Sequence, residues 1–105
     1  MSLMDALFYW LQMKWILDAR PDDEAARDTL GFFAQILSED HRLASYRVSS
    51  ADAGKVHVTY ETTEGVSRTV WFDREAVEQL RRDMFGMPDD SDPAYDPEDE
   101  EDDAN

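Results

Sequence analysis

The two histidines are the side chains of this chain best suited to acid–base or metal chemistry. They are His57 and His41, and His41 directly follows Glu39 and Asp40. Such an isolated triplet could hold a metal ion, but it is far more often a solvated helix end. Neither histidine has a cysteine, a second histidine at ligand spacing or a nucleophile elbow nearby. The pattern therefore favours a non-enzymatic protein without catalytic residues, metal or cofactor.

The acidic stretch from Asp90 loosely resembles the spacing of a calcium-binding loop. Acids stand at positions 1, 3, 7, 9 and 12 of this stretch. Position 6 is Tyr95, however, where the sharp turn of a calcium loop requires glycine, and prolines interrupt the stretch. The four glycines of the chain are isolated from one another, so no glycine-rich phosphate loop exists. These patterns predict weak, non-specific cation binding at most.

Charge divides the chain into a body and a tail. The formal net charge is -15, and residues 88–105 contain ten acids and no Lys or Arg. Prolines and a near absence of apolar residues predict that 87–105 is a disordered acidic tail, whereas 1–86 is a single domain. Strong negative charge disfavours nucleic acid and anionic membranes and favours a basic protein partner. The absence of cysteine fits a reducing, cytoplasmic environment.

The first helix, predicted over residues 3–19, is apolar on two sides. Asp5, Gln12 and Lys14 interrupt its apolar run, which is too short to cross a membrane. A helix that is apolar on two sides is normally buried on two sides. One apolar side carries Leu3, Ala6, Trp10, Met13 and Leu17, and the other carries Met4, Phe8, Leu11 and Trp15. A second copy of the chain could therefore cover one of them.

Two further helices are predicted over about 22–38 and over 74–85, with three strands between them. The alternation of apolar and polar residues after residue 41 predicts the strands. Two registers are open for the last two strands. A two-residue turn would mix apolar and polar residues on each face, whereas a three-residue loop over 63–65 places Val58 opposite Val70 and His57 opposite Trp71. We choose the second register, because it gathers the apolar residues on one face.

The predicted fold is a two-layer α+β domain of order ααβββα. Its three-stranded antiparallel meander carries the helices on one face. A sheet of three strands is about 14 Å wide and seats about two helices. The first helix is then expected in a third layer, in a central position or at a dimer interface.

Part of this order, αβββα, resembles that of double-stranded-RNA-binding domains. Those domains present basic residues at the start of the last helix, where this chain has Asp73, Arg74, Glu75 and Ala76. The resemblance therefore implies topology and not RNA binding, because phosphates would be repelled. The chain is also similar to small acidic type III secretion chaperones in being short, acidic, α/β and, by expectation, dimeric. It lacks the further strands of that fold.

Aromatic residues are the remaining candidates for a binding site, because tryptophan is enriched at interface hot spots. We predict partner-binding roles for Trp10, Trp15, Trp71, Phe8 and Tyr95. The leading hypothesis is a small regulator, adaptor or chaperone-like subunit that binds a protein partner or forms a homodimer through its first helix. The alternative is an acidic inhibitor that mimics nucleic acid and occupies the basic groove of a DNA- or RNA-handling protein.

Overall fold

The chain forms three helices and one antiparallel sheet in the predicted order. A computed structural model describes residues 1–85, so the predicted tail and Tyr95 lie outside the described residues. The elements are α1 (Leu3–Ala19), α2 (Glu24–Glu39), β1 (Leu43–Ala51), β2 (Lys55–Thr62), β3 (Ser67–Asp73) and α3 (Arg74–Phe85). The predicted α+β fold class is thereby confirmed.

Side-chain caps fix where the first two helices begin. The Ser2 hydroxyl oxygen accepts a hydrogen bond from the backbone N–H of Asp5 at 3.1 Å. The Asp23 carboxylate accepts from the backbone N–H of Ala26 at 2.9 Å. A capping residue lies outside the helix that it caps, so α2 begins at Glu24 and not near residue 22 as predicted.

The sheet has the strand order β1-β2-β3, and its last two strands pair in the predicted register. Val58 lies opposite Val70, and His57 lies opposite Trp71. The connection is the predicted three-residue loop: the N–H of Thr62 donates to the carbonyl of Val66 at 2.8 Å, and Gly65 has a φ of 88°. Glycine adopts this left-handed conformation without a Cβ penalty.

The inner face of the sheet forms the floor of the core. Val56, Val58 and Tyr60 of β2 are buried there, and Val48 and Val58 pair across β1 and β2. These strand residues share one cluster with side chains of all three helices. The helices therefore cover one face of the sheet and leave the other face open.

Helix α1 occupies the central position, and each of its apolar sides carries a residue that is buried within the chain, Trp10 on one side and Leu11 on the other. In its first half, Trp10 packs edge-on against Tyr46 of β1 at a ring-centre distance of 5.1 Å. In its second half, Met13 and Ile16 form a separate cluster with Ala26 of α2 and the half-buried Leu80 of α3. The packing partners of α1 thus change along its length from the sheet to α2 and α3.

Candidate functional site

Two of the predicted partner-binding residues, Trp10 and Phe8, take part in packing within the domain. Trp10 is only 7% exposed and packs against the ring of Tyr46. Phe8 is half-buried, and its ring centre lies 5.8 Å from those of Phe72 in β3 and Tyr9 in α1. In the folded domain, Phe8 is therefore partly covered by Phe72 and Tyr9, and Trp10 presents almost no surface.

Trp15 is held by a polar network that joins α1 to α3. Its indole N–H donates to the Glu78 carboxylate at 3.3 Å, and the Arg74 guanidinium lies 5.6 Å from its ring centre. The same carboxylate accepts from Nε of Arg74 at 2.9 Å. A terminal nitrogen of Arg74 in turn donates to the carbonyl of Asp52 at 2.8 Å, which ties the β1–β2 turn to the network.

Trp71 lies on the open face of the sheet and is 55% exposed. The ammonium nitrogen of Lys55 lies 4.4 Å from the centre of the Trp71 ring, within cation–π range. In the next row of the same face, the hydroxyls of Thr59 and Thr69 are 2.9 Å apart. This face therefore presents one aromatic and one cation together, in polar surroundings.

The histidines lie apart from each other. Nε2 of His41 lies 3.0 Å from the carbonyl oxygen of Met1, and His57 is half-buried opposite Trp71 with its Nδ1 buried and unbonded. Across the part of the chain that the structure describes, no three His, Asp or Glu side chains stand close enough to hold a metal ion. Among the described helices, none has the length and apolarity required to cross a membrane.

A row of aromatic rings on the outside of α1 and α2 was missed by the sequence interpretation. Phe32 is 59% exposed and Tyr9 is 40% exposed. The ring of Phe33 lies between them, 5.3 Å from Phe32 and 5.4 Å from Tyr9. We call Tyr9, Phe32 and Phe33 the hairpin surface. The available signal was Phe32 itself, which lies about 120° around the helix from the buried Ala26.

An open cleft of about 250 Å³ lies beside the hairpin surface. Phe32 and Ile36 give it apolar walls, while Glu39 and Asp40 add two carboxylates at the end of α2; Gln35 completes the lining. The Gln35 amide donates to the Glu39 carboxylate at 3.2 Å. An apolar slot that ends in carboxylates suits a long basic side chain, whose aliphatic stem packs while its charge stays in water.

The net charge of the described domain is concentrated on the same two helices. Residues 1–41 contain eight acids and three basic residues, a net charge of about -5. Residues 42–85 contain seven acids and seven basic residues and are neutral overall. The pair of helices α1 and α2, which we call the helical hairpin, is therefore the acidic side of the domain. The exposed rings of Tyr9 and Phe32 belong to this pair of helices.

Comparison with known proteins gives no match: no family model matches the chain, and no curated protein or solved structure is significantly similar to it.

Proposed function

We propose that this chain is a non-enzymatic protein-interaction module that binds a basic protein partner on its hairpin surface. The observation that carries the proposal is the 59% exposure of Phe32, within a row of aromatic rings on the acidic side of the domain. Exposed aromatic side chains inside a polar rim are typical of interface anchors. A regulator, adaptor or chaperone-like subunit of the cytoplasm fits this description.

The partner's chemistry follows from what surrounds Phe32. A partner segment with apolar residues would pack on Tyr9 and Phe32, and a Lys or Arg would enter the cleft toward Glu39 and Asp40. The net charge of the hairpin would attract a basic segment before contact and repel acidic ones. A basic amphipathic segment supplies both the apolar and the charged contacts.

The hairpin surface is a better anchor than the tryptophans of α1. Trp10 packs on Tyr46, and Trp15 is hydrogen bonded to Glu78. Their roles in partner binding stay predictions, as does that of Phe8, whose ring centre lies 5.8 Å from that of Tyr9. Homodimer formation also remains a proposal, in which a second copy would occupy the hairpin surface.

A pair of exposed aromatic residues on different faces provides a matched test. Phe32 lies on the helical hairpin and Trp71 lies on the open face of the sheet, with similar exposures of 59% and 55%. We expect immobilised Phe32→Ser to lose the basic partner that the unchanged chain captures from a lysate of the source cells. Trp71→Ser should retain this partner. Equal retention by both variants would contradict the proposal.

Two further experiments distinguish binding by the domain from binding by the acidic tail and from mimicry of nucleic acid. A chain truncated after Gly86 lacks the ten acids of 88–105, so loss of the partner on truncation would place binding in the tail. Competition by free DNA or RNA for the captured partner would favour the alternative function, a nucleic-acid-mimicking inhibitor. Size-exclusion chromatography with light scattering of the unchanged chain and Phe32→Ser tests whether a second copy occupies the surface.

A further inference from the structure

The outer edge of β3 carries backbone groups that are not hydrogen bonded to any described residue. β3 is the last strand of the sheet, so only β2 pairs with it. One position beyond the last pair of this ladder, the N–H of Arg74 donates to the carbonyl of Gly54 at 2.9 Å. Because bonded and non-bonded pairs alternate in an antiparallel ladder, the N–H and C=O groups of Ser67, Thr69 and Trp71 point away from β2.

The two edges of the sheet differ in how they are protected against pairing with another strand. Along β1, the register with β2 shifts at two places, between Leu43 and Ser45 and between Val48 and Ser50. Such bulges twist an edge strand and interrupt its row of backbone groups. β3 pairs with β2 over all 7 of its residues without a shift, and it contains neither proline nor lysine. The β3 edge is therefore the one suited to accept a further strand.

Apolar side chains that the domain leaves partly uncovered flank the β3 edge. On the inner face of the sheet, Val70 and Phe72 are only half-buried, and on the outer face Trp71 is 55% exposed. Above the inner face, Met4 of α1 is 38% exposed. It lies one helical turn before Phe8, whose ring centre is 5.8 Å from that of Phe72. A strand added to this edge would cover these side chains while its backbone pairs with β3.

A second copy of β3 fits this edge in one register. Antiparallel pairing about a two-fold axis at Val70 overlaps all 7 residues, and it sets the outward groups of Thr69 opposite those of Trp71 in the second copy. The two Trp71 residues become diagonal neighbours about 7–8 Å apart, within reach of aromatic side chains. We infer that two copies of the chain pair along β3 in this register and form one continuous sheet of six strands.

The charges of β3 favour the antiparallel arrangement. The strand has two charged residues, Arg68 near its start and Asp73 at its end. About the axis at Val70, Arg68 lies opposite Phe72 of the second copy, one position from its Asp73, and Asp73 lies opposite Ser67. A parallel pair in the same register would set each charge opposite its own copy, and like charges directly opposite destabilise a strand pair. The pairing uses no residue of the hairpin surface, so it does not depend on the proposed partner.

Amide hydrogen exchange in the unchanged full chain tests the pairing. We expect the amide protons of Thr69 and Trp71 to exchange more slowly as the protein concentration rises, because they become hydrogen bonded to a second copy. The amide of Tyr46 in β1, the other edge strand, should show no such change. Protection at Thr69 and Trp71 that does not vary with concentration would mean that the chain covers its own edge. That result, or an absence of protection at every concentration, would overturn the inference.

Single-cysteine variants test the register, since the unchanged chain has no cysteine. With the axis at Val70, the two copies of this residue form a non-hydrogen-bonded pair with Cα atoms about 4.5 Å apart, within the range that a disulfide spans. In oxidised glutathione, Val70→Cys should form a covalent dimer at least about ten times faster than control variants, because pairing holds the two thiols together at high effective concentration.

Two controls match Val70→Cys in different respects. Val48→Cys lies half-buried at the β1 edge and, like Val70, is opposite Val58. Ser67→Cys lies on β3 itself and is more exposed, but the paired strands would hold its two copies about 20 Å apart. Equal rates for Val70→Cys and Val48→Cys, or faster cross-linking of Ser67→Cys, would overturn the inference.

A double variant separates this contact from association through the hairpin surface. Phe32→Ser combined with Val70→Cys should form the covalent dimer as fast as Val70→Cys alone, since Phe32 lies on α2 and outside the β3 edge. A marked loss of cross-linking in the double variant would place the contact between copies on the hairpin surface and contradict pairing along β3.

Discussion

The indole N–H of Trp15 in α1 donates to the carboxylate of Glu78 in α3 at 3.3 Å, across 63 positions of sequence. Arg74 donates to the same carboxylate oxygen at 2.9 Å and also reaches the carbonyl of Asp52. One half-buried acid therefore connects the first helix, the last helix and the turn between β1 and β2. The contact gives Trp15 a structural role within the domain, and its predicted role in partner binding stays a prediction.

Replacing Glu78 should destabilise the domain. Glu78→Ala removes the acceptor for the Trp15 N–H and the charged partner of Arg74, and hydrogen bonds to charged groups contribute about 1.5–3 kcal/mol. We expect a loss of about 1.5 kcal/mol in the free energy of unfolding, measured by urea denaturation, because the site is partly open to water. Glu75→Ala, at an exposed position of the same helix, is the control and should change little. Equal stability of the two variants would show that the network contributes nothing.

The two hydrophobic clusters that α1 joins should receive comparable contributions to stability from this helix. Leu7 and Ile16 are both 0% exposed but belong to the sheet-side cluster and the helix-side cluster respectively. Leu7→Ala and Ile16→Ala should each cost about 3 kcal/mol of unfolding free energy, whereas the partly exposed Met4→Ala should cost less than about 1 kcal/mol. Urea denaturation of the three variants measures these costs, and a cost for Ile16→Ala as small as that for Met4→Ala would contradict the burial of Ile16.

The concentration dependence of thermal unfolding shows whether α1 is buried by its own chain alone or also by a second copy. If the chain covers both sides of α1 by itself, the Tm of the unchanged protein stays constant with protein concentration. A Tm that rises with concentration would show that association contributes to the stability of the fold.

Two glycines should respond in opposite directions to the same substitution. Gly65→Ala places a Cβ at a φ of 88° and should destabilise the domain by about 1 kcal/mol. Gly31 lies exposed within α2, and apart from its chain neighbours and the nearby helix backbone no described atom lies within 4 Å of the position that an added Cβ would take. Gly31→Ala should therefore stabilise the domain by about 0.5–1 kcal/mol. Thermal unfolding of both variants checks the pair, and a stabilising Gly65→Ala would contradict the loop conformation.

The Asp52 carboxylate should make stability depend on pH in the acidic range. Hydrogen bonds from the backbone N–H of Gly54 and of Lys55 lower the pKa of Asp52 below its ordinary value of 3.8. Because the folded-state pKa is lowered, the ionised carboxylate stabilises the fold above about pH 4, and this contribution is lost as the pH falls through the lowered pKa.

Asp52→Asn isolates this contribution, since the amide oxygen can still accept from Gly54 while it cannot ionise. The stability difference between the unchanged chain and Asp52→Asn should be constant near neutral pH and should shrink as the pH falls below 3.8. Thermal unfolding at a series of pH values measures it. A difference that does not change with pH would show that the pKa of Asp52 is the same in the folded and unfolded chain.

Much of the fold was determined by local features of the sequence. The change from helical to alternating periodicity predicted the element order, and the pairing of Val58 with Val70 followed from the apolar pattern and from Gly65. These features could be read directly because periodicity and a positive φ are properties of neighbouring residues. The predicted start of α2 was two residues early because Asp23 acts as the cap and not as the first turn.

The exposure of the aromatic residues on the helices was decided only by the tertiary structure. Trp10 and Trp15 were both assigned to apolar sides of α1, yet Trp10 is buried and Trp15 is half-buried and hydrogen bonded to Glu78. The place of Trp71 on the outer face of the sheet, by contrast, followed from the predicted register. Phe32 was not identified at all. Periodicity shows which residues share a side of a helix, but the cover on that side comes from elements distant in sequence. For α1 that cover changes from the sheet to α2 and α3 along its length, so only the packed domain separates its buried residues from its exposed ones.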